Sequence, residues 1–175
     1  MTVNIDITKE LKAVEKLIKS DINKEKTILG LYNYIFKSDG KKIRSRLNLI
    51  ASSSRKNSHR YKLASIIELL HTATLVHDDV VDNASTRRGA VSVNSLWSNA
   101  HGVLIGDYIY SKAFMLMVEI WKKDILAELA DATNDISQGE LIQLDAISNI
   151  KISLNKLKKI SYFKTGRLFE ASAKT

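Results

Sequence analysis

The stretch from Leu63 to Val81 contains neither Gly nor Pro and is apolar over most of its length, which commits it to a buried helix. It ends in Asp78-Asp79-Val80-Val81-Asp82. On a helix, Asp78 and Asp82 are i and i+4, about 40° apart around the axis, so their carboxylates lie one above the other. Two anions held that close repel, and leaving them unpaired at the end of an apolar helix is costly. A divalent cation with oxygen ligands removes the conflict. Mg²⁺ typically takes one or two carboxylates together with phosphate oxygens. Arg87 and Arg88 follow, and then Gly89. Carboxylates for a metal, then guanidinium groups for phosphate oxygens, is the layout of a magnesium–diphosphate site. Alone, a DDxxD string is also what a solvated helix end looks like, and an Arg-Arg pair also fits an ordinary surface. Their conjunction makes them a candidate site.

Composition narrows the fold. The chain has 175 residues, enough for one domain with a substantial core, and residues 1–175 are read as a single helical domain. Proline is absent and there are only 7 glycines, which favours an all-α protein. With no cysteine there is no disulfide and no thiolate metal site. The N-terminal residues have no basic region followed by an apolar run, so no signal peptide is expected. The most apolar segment, Gly102 to Trp121, is interrupted by Asp107, Lys112 and Glu119, so no membrane span is expected and the cytoplasm is the expected location. The net charge of +8 comes from 27 basic against 19 acidic residues. The lysines are scattered and not interleaved with aromatics, as a stacking surface for single strands requires, so nucleic acid is not an expected partner.

Helical periodicity recurs along the chain. Ile7, Leu11, Val14 and Ile18 make one apolar stripe, and Ile28, Leu31, Tyr32, Ile35 and Phe36 make a second. Ser38-Asp39-Gly40 is a break with turn chemistry. A third helix is expected to begin near Lys41 and to end in the polar run from Ser52 to Ser58. Lys41 and Arg44 would then be i and i+3 at a helix start, able to reach the same side, where helix N-termini favour anions. The long apolar helix runs to about Asp82, and residues 83–90 read as a loop. Helices follow at about 102–121 and 123–146. Ser153 is placed to cap a last helix that includes Lys164. The picture is a bundle of antiparallel helices with its site at one end.

The segment Glu68-Leu-Leu-His-Thr-Ala-Thr-Leu-Val-His-Asp-Asp-Val-Val-Asp82, followed by Arg87-Arg88-Gly89, resembles the first aspartate-rich region of trans-polyprenyl diphosphate synthases, and most of all the bacterial octaprenyl type. Other elements of that family match in order. Gly40-Lys41-Lys42-Ile43-Arg44 resembles GGKxxR. Gly106-Asp107-Tyr108 with Ala113-Phe114 resembles the GD(F/Y)…AF helix. Gln138-Gly139-Glu140 with Gln143-Leu144 resembles GExxQL, and Tyr162 to Glu170 resembles the KTAxLFE segment. The resemblance runs from about Gly40 to Thr175.

The resemblance implies an all-α, antiparallel isoprenoid-synthase bundle whose C-terminal helices are missing. It implies a Mg²⁺-dependent prenyltransferase that adds isopentenyl diphosphate units to an allylic diphosphate, making a long all-trans polyprenyl diphosphate. Catalytic roles fall on Asp78, Asp79 and Asp82, with Asp78 and Asp82 as Mg²⁺ ligands. Lys41, Arg44, His71 and Arg88 would hold isopentenyl diphosphate, and Arg87, Lys164 and Thr165 the allylic diphosphate. Ala73 and Thr74, small residues before Asp78, would leave room for a long chain. A homodimer or a complementing chain is the expected partner, and the product would go to a membrane. The sequence departs from the family in four ways. It has one DDxxD where the family has two such motifs and is nearly twice as long, it has Asp39-Gly40 for Gly-Gly, it has Ser45 where Pro is usual, and it has Gly166 where Ala is usual. A truncated or split synthase is therefore expected. The alternative is a non-catalytic or complementing subunit that binds diphosphate or a partner chain.

Overall fold

A computed structural model describes residues 6–37, 40–54 and 59–175. Within these residues the chain is almost entirely helical. Helix α1 (Ile7–Ile18) starts where Asp6 accepts from the Lys9 backbone N–H, and it buries Leu11, Val14 and Ile18. Helix α2 (Lys26–Ile35) is capped by Glu25, which accepts from the N–H groups of Thr27 and Ile28. Its Tyr32 is fully buried and donates to the Ile18 carbonyl at 2.7 Å, locking α2 onto the end of α1. The expected apolar stripes of both helices face the core, except that Ile28 at the start of α2 is only half-buried and outside it.

Helix α3 (Ile43–Ala51) begins later than its sequence suggests. Lys42 precedes it in the left-handed region, at φ 47°, and accepts the first intrahelical hydrogen bond from Arg46 through its carbonyl. Lys41 therefore lies outside the helix, and the expectation that it and Arg44 share a helical face is corrected. Residues 38–39 of the predicted break and 55–58 of the predicted polar loop lie outside the described residues.

Helix α4 (Arg60–Val81) is the axis of the fold. Every residue from Leu63 to Leu70 is buried, so this part of the helix has no solvent face, as an apolar run without amphipathic periodicity demands. Helix α3 packs antiparallel to it, with Ser45 beside Ala64 and Arg60 beside Leu49. After α4 the predicted loop contains a two-stranded hairpin, β1 (Thr86–Arg87) and β2 (Ala90–Val91), with Thr86 opposite Val91 and Arg87 opposite Ala90. Its two turn residues, Arg88 and Gly89, have φ 51° and 79°, the paired positive values of a type I′ turn.

A short helix α5 (Val93–Leu96) leads to α6 (Asn99–Ile120), which starts at a Ser98 cap and runs back along α4. His77 meets Val103 near one end of this pair and Lys62 meets Glu119 near the other, so the two helices are antiparallel. Trp121, left-handed at φ 47°, ends α6 and reverses the chain directly into α7 (Lys123–Leu144). Ser153 caps α8 (Leu154–Ser161) as expected, accepting from Lys156. The last helix is not continuous. Tyr162–Gly166 form a π-helical turn before α9 (Arg167–Lys174). Arg167 ties α9 back to Glu128 and Asp135 of α7, at 2.5 and 2.9 Å.

Candidate active site

The acidic end of α4 faces two ways. Asp78 lines an open cavity of about 470 Å³ between α4, α6 and α7, together with Thr74, His77, Asp107, Tyr110, Ser111, Ile136, Ser137 and Glu140. Asp82, one turn on, closes the helix by donating its N–H to the Asp78 carbonyl. Asp79 is rotated away from this cavity, as i+1 on a helix must be. It is buried, and one of its oxygens accepts from Arg87 Nε at 2.7 Å and lies 2.6 Å from Arg87 Nη2. Asp79 is thus committed to Arg87, and it lines a different cavity from Asp78. Such a pair holds Arg87 at the cleft edge while its remaining donors stay available.

Lys164 reaches Glu140 of α7 from the π-helical turn, a feature that often marks functional positions, whereas Thr165 beside it is exposed and is not brought to the cavity. The turn comes very close to α7. A Cβ at Gly139 would lie 2.7 Å from Phe163 Cβ and 3.1 Å from the Lys164 nitrogen, so only Gly permits the contact. The next residue, Glu140, forms an ion pair with Lys164 through Oε2. Its other oxygen, Oε1, is buried and has no hydrogen-bond partner among the described residues. Burial pushes the Asp78 carboxyl up to about 6. Glu140 and Asp82 add to the rise, and Lys164 and Arg87 oppose it.

The residues assigned to the second diphosphate meet on the neighbouring side of α4. Arg44 Nη1 lies 3.2 Å from His71 Nε2, and its guanidinium stacks on the Phe169 ring at 4.3 Å. Burial, with Arg44, Arg88 and Arg87 around it, pushes His71 down to about 3, so the imidazole is neutral and its Nε2 accepts from Arg44. Arg88 packs over Gly40, where a Cβ would lie 2.3 Å from its Nη1. Lys41 is exposed beside Gly40. Beneath these cations lies Glu68, 6% exposed and 3.0 Å from Ser45 Oγ. Lys42, Arg88 and Arg44 all act on its charge. Ser45, where the family pattern has Pro, thus adds a polar contact to this carboxylate.

The two chain-length candidates separate. Thr74 is on the wall of the Asp78 cavity, whereas Ala73 is fully buried in the core. Sequence reasoning gave no role to Glu140 or Glu68. Glu140 stood in a quoted motif. Glu68 is the one charged side chain in the Leu63–Leu70 run, and a buried acid needs a partner.

A divalent cation fits the donor set. Asp78 and Asp82 offer hard carboxylate oxygens, the Asp78 anion is destabilised as it stands, and Glu140 Oε1 is unsatisfied beside it. Among the described residues no group of three His, Cys, Asp or Glu side chains is arranged to hold a metal unaided. The remaining ligands must then come from water or a bound phosphate.

The family model for polyprenyl synthetases matches residues 6–175. The chain belongs to that family. It is 35% identical over 175 residues to the octaprenyl diphosphate synthase of Escherichia coli (strain K12), covering 98% of this chain and 54% of that protein. It is 34% identical over 168 residues to the all-trans-nonaprenyl-diphosphate synthase (geranyl-diphosphate specific) of Rhodobacter capsulatus, covering 94% of this chain and 52% of the relative. The fold matches the crystal structure of a decaprenyl diphosphate synthase from Rhodobacter capsulatus, with a TM-score of 0.91, 33% identity, and 95% and 53% of the two chains covered. It also matches a polyprenyl synthase from Caulobacter crescentus CB15 complexed with calcium and isoprenyl diphosphate, with a TM-score of 0.86, 34% identity, and 96% and 51% covered. The chain spans about half the length of the curated relatives it matches. The fold is the all-α fold of these polyprenyl synthetases. No helix among the described residues is long and apolar enough to cross a membrane.

Proposed function

We propose that this chain carries the first-aspartate-motif part of a long-chain all-trans polyprenyl diphosphate synthase and binds both diphosphates of that reaction. The observation that carries the reading is the convergence of Asp78, Arg87, Glu140 and Lys164 from four separate elements around one charged carboxylate. Asp78 and Asp82 would hold Mg²⁺, which when bound would supply positive charge to the oxygens of the allylic diphosphate. Arg87, Lys164 and Thr165 bind the same diphosphate and stabilise its charge as the allylic C–O bond breaks. Lys41, Arg44, His71 and Arg88 orient isopentenyl diphosphate so that its double bond faces the allylic carbon. A new C–C bond forms, and loss of a proton yields a product five carbons longer. Asp79 serves by fixing Arg87. The growing apolar chain is directed past Thr74.

The exposed side chains of α6, Leu104, Met115, Val118 and Trp121, support a second copy or a complementing chain as the partner. The same reading makes the chain part of a cytoplasmic enzyme that hands its product to a membrane. Calorimetry with a non-hydrolysable allylic diphosphate, with and without Mg²⁺, tests the proposal. Tighter binding in Mg²⁺ is expected. Equal affinity in both conditions would refute it. With half the relatives' length, the 175-residue chain is expected to bind without sustained turnover. A radiolabelled isopentenyl diphosphate assay checks that.

A further inference from the structure

Asp78 and Glu140 line one cavity between α4 and α7, where Glu140 and Asp82 both raise the Asp78 carboxyl and Lys164, ion-paired with Glu140, opposes them. Its ammonium is ion-paired with Glu140 Oε2 and draws on the charge of Asp78 as well. Both partners of the ion pair are largely withdrawn from water, at 20% and 16% exposure, so the contact is not a solvated surface pair. Glu140 nevertheless keeps Oε1 buried and unpartnered. Lys164 therefore satisfies only half of Glu140. Arg87, the other cation near Asp78, is already held by Asp79.

We propose that the Lys164 ammonium is a built-in stand-in for a metal ion between Asp78 and Glu140, and that Glu140 is the positioning residue that holds it there until a divalent cation takes its place. The inference rests on the cation site proposed above and goes further, because it makes Lys164 and the metal competitors for the same carboxylates. Entry of the ion gives Glu140 a stronger counter-charge and releases Lys164 toward the diphosphate oxygens. The lysine is thereby withheld from the diphosphate until a metal is present. Gly139 is what makes the exchange short-range, since it brings the π-helical turn against α7.

Mn²⁺ titration of the 175-residue chain, followed by electron paramagnetic resonance, tests the competition without turnover. Lys164→Met is expected to bind Mn²⁺ on the order of fivefold more tightly than the unmodified chain. In a Glu140→Gln background the same substitution is expected to change the affinity less than twofold, because the shared carboxylate is gone. A purely structural ion pair would instead lower the thermal midpoint of Lys164→Met and leave Mn²⁺ affinity unchanged, which would overturn the proposal. So would an equal tightening in both backgrounds. Asp78→Asn separates the two readings. If it leaves Mn²⁺ binding intact, or if the unmodified chain binds none, the cation site itself is refuted. If it abolishes binding while Lys164 has no effect, only the stand-in role fails. Should Lys164→Met lose helicity by circular dichroism, the unmodified chain with ¹³C-methylated lysines supplies a second readout. The Lys164 resonance, assigned with Lys164→Arg, must then shift on adding Mg²⁺, and a static signal would overturn the proposal.

Discussion

The two sides of α4 solve opposite electrostatic problems. On the Arg44 side, cations crowd together, and a buried Glu68 and a neutral His71 sit among them. On the Asp78 side, carboxylates crowd together, and Lys164 is their partner. The first side already holds an excess of cations, and the second is short of positive charge. One helix separates the two because residues three or four apart share a face, and Glu68, Thr72 and Asp79 line one cavity while Thr74 and Asp78 line the other.

The sharpest way to break this comparison is to remove the metal ligands. Asp78→Ala with Asp82→Ala is expected to abolish the Mg²⁺-dependent gain in allylic diphosphate affinity, a loss on the order of 100-fold, and to leave isopentenyl diphosphate binding in place. Calorimetry with each ligand measures both. Arg44→Ala should do the reverse. Isopentenyl diphosphate binding falls on the order of tenfold, with or without Mg²⁺, since a charge-assisted hydrogen bond is lost. If that loss appears only with Mg²⁺ present, the pockets are not independent.

Acidity offers a third test, because the two sides respond to pH with opposite sign. His71 titrates at about 3 in the folded chain against an ordinary 6.5, so the folded state holds fewer protons in that window and stability falls as pH drops through it. Asp78 titrates at about 6 against an ordinary 3.8, so the folded state holds more protons there and stability falls as pH rises through it. Urea unfolding of Asp78→Asn between these limits should show stability rising with pH. His71→Gln should show it falling. Each slope is expected to amount to about 1–2 kcal/mol over the window, after allowance for the partial exposure of Asp78. A common slope in both variants would show that neither group dominates. The smallest effect in energy is expected from Thr74→Phe. It should weaken binding of long-chain allylic diphosphates relative to short ones, with stability within about 1 kcal/mol of the parent. Ala73→Phe, in the packed core, should cost about 1–3 kcal/mol in stability instead. Direct binding and thermal unfolding of both variants decide it.

Much of this was legible in the sequence. The Leu63–Val81 run announced the central helix, the stripes of α1 and α2 announced their buried faces, and Ser153 announced its cap. What remained hidden had short-range or non-periodic causes. Two-residue strands are too brief to alternate, so the hairpin read as loop. A π-helical turn shifts the ladder by one residue without changing composition, so α8 and α9 read as one helix. Lys42 adopts positive φ although nothing in its type requires it, so α3 was expected too early. In the site, the paired acids and arginines were visible, but partners brought together by folding were not. Asp79 finds Arg87 through the hairpin, and Glu140 finds Lys164 through Gly139.

The turn at Arg88-Gly89 carries one more consequence. Position 88 is left-handed, a conformation that Asn or Gly adopts more easily than Arg, by roughly 1 kcal/mol. Arg87 therefore stays in the strand with Asp79 while Arg88 swings over Gly40, and neighbouring residues take different partners along one cavity. An Asn at position 88 would ease the turn and take away the guanidinium over Gly40, so the bundle would gain durability while this cavity lost a cation.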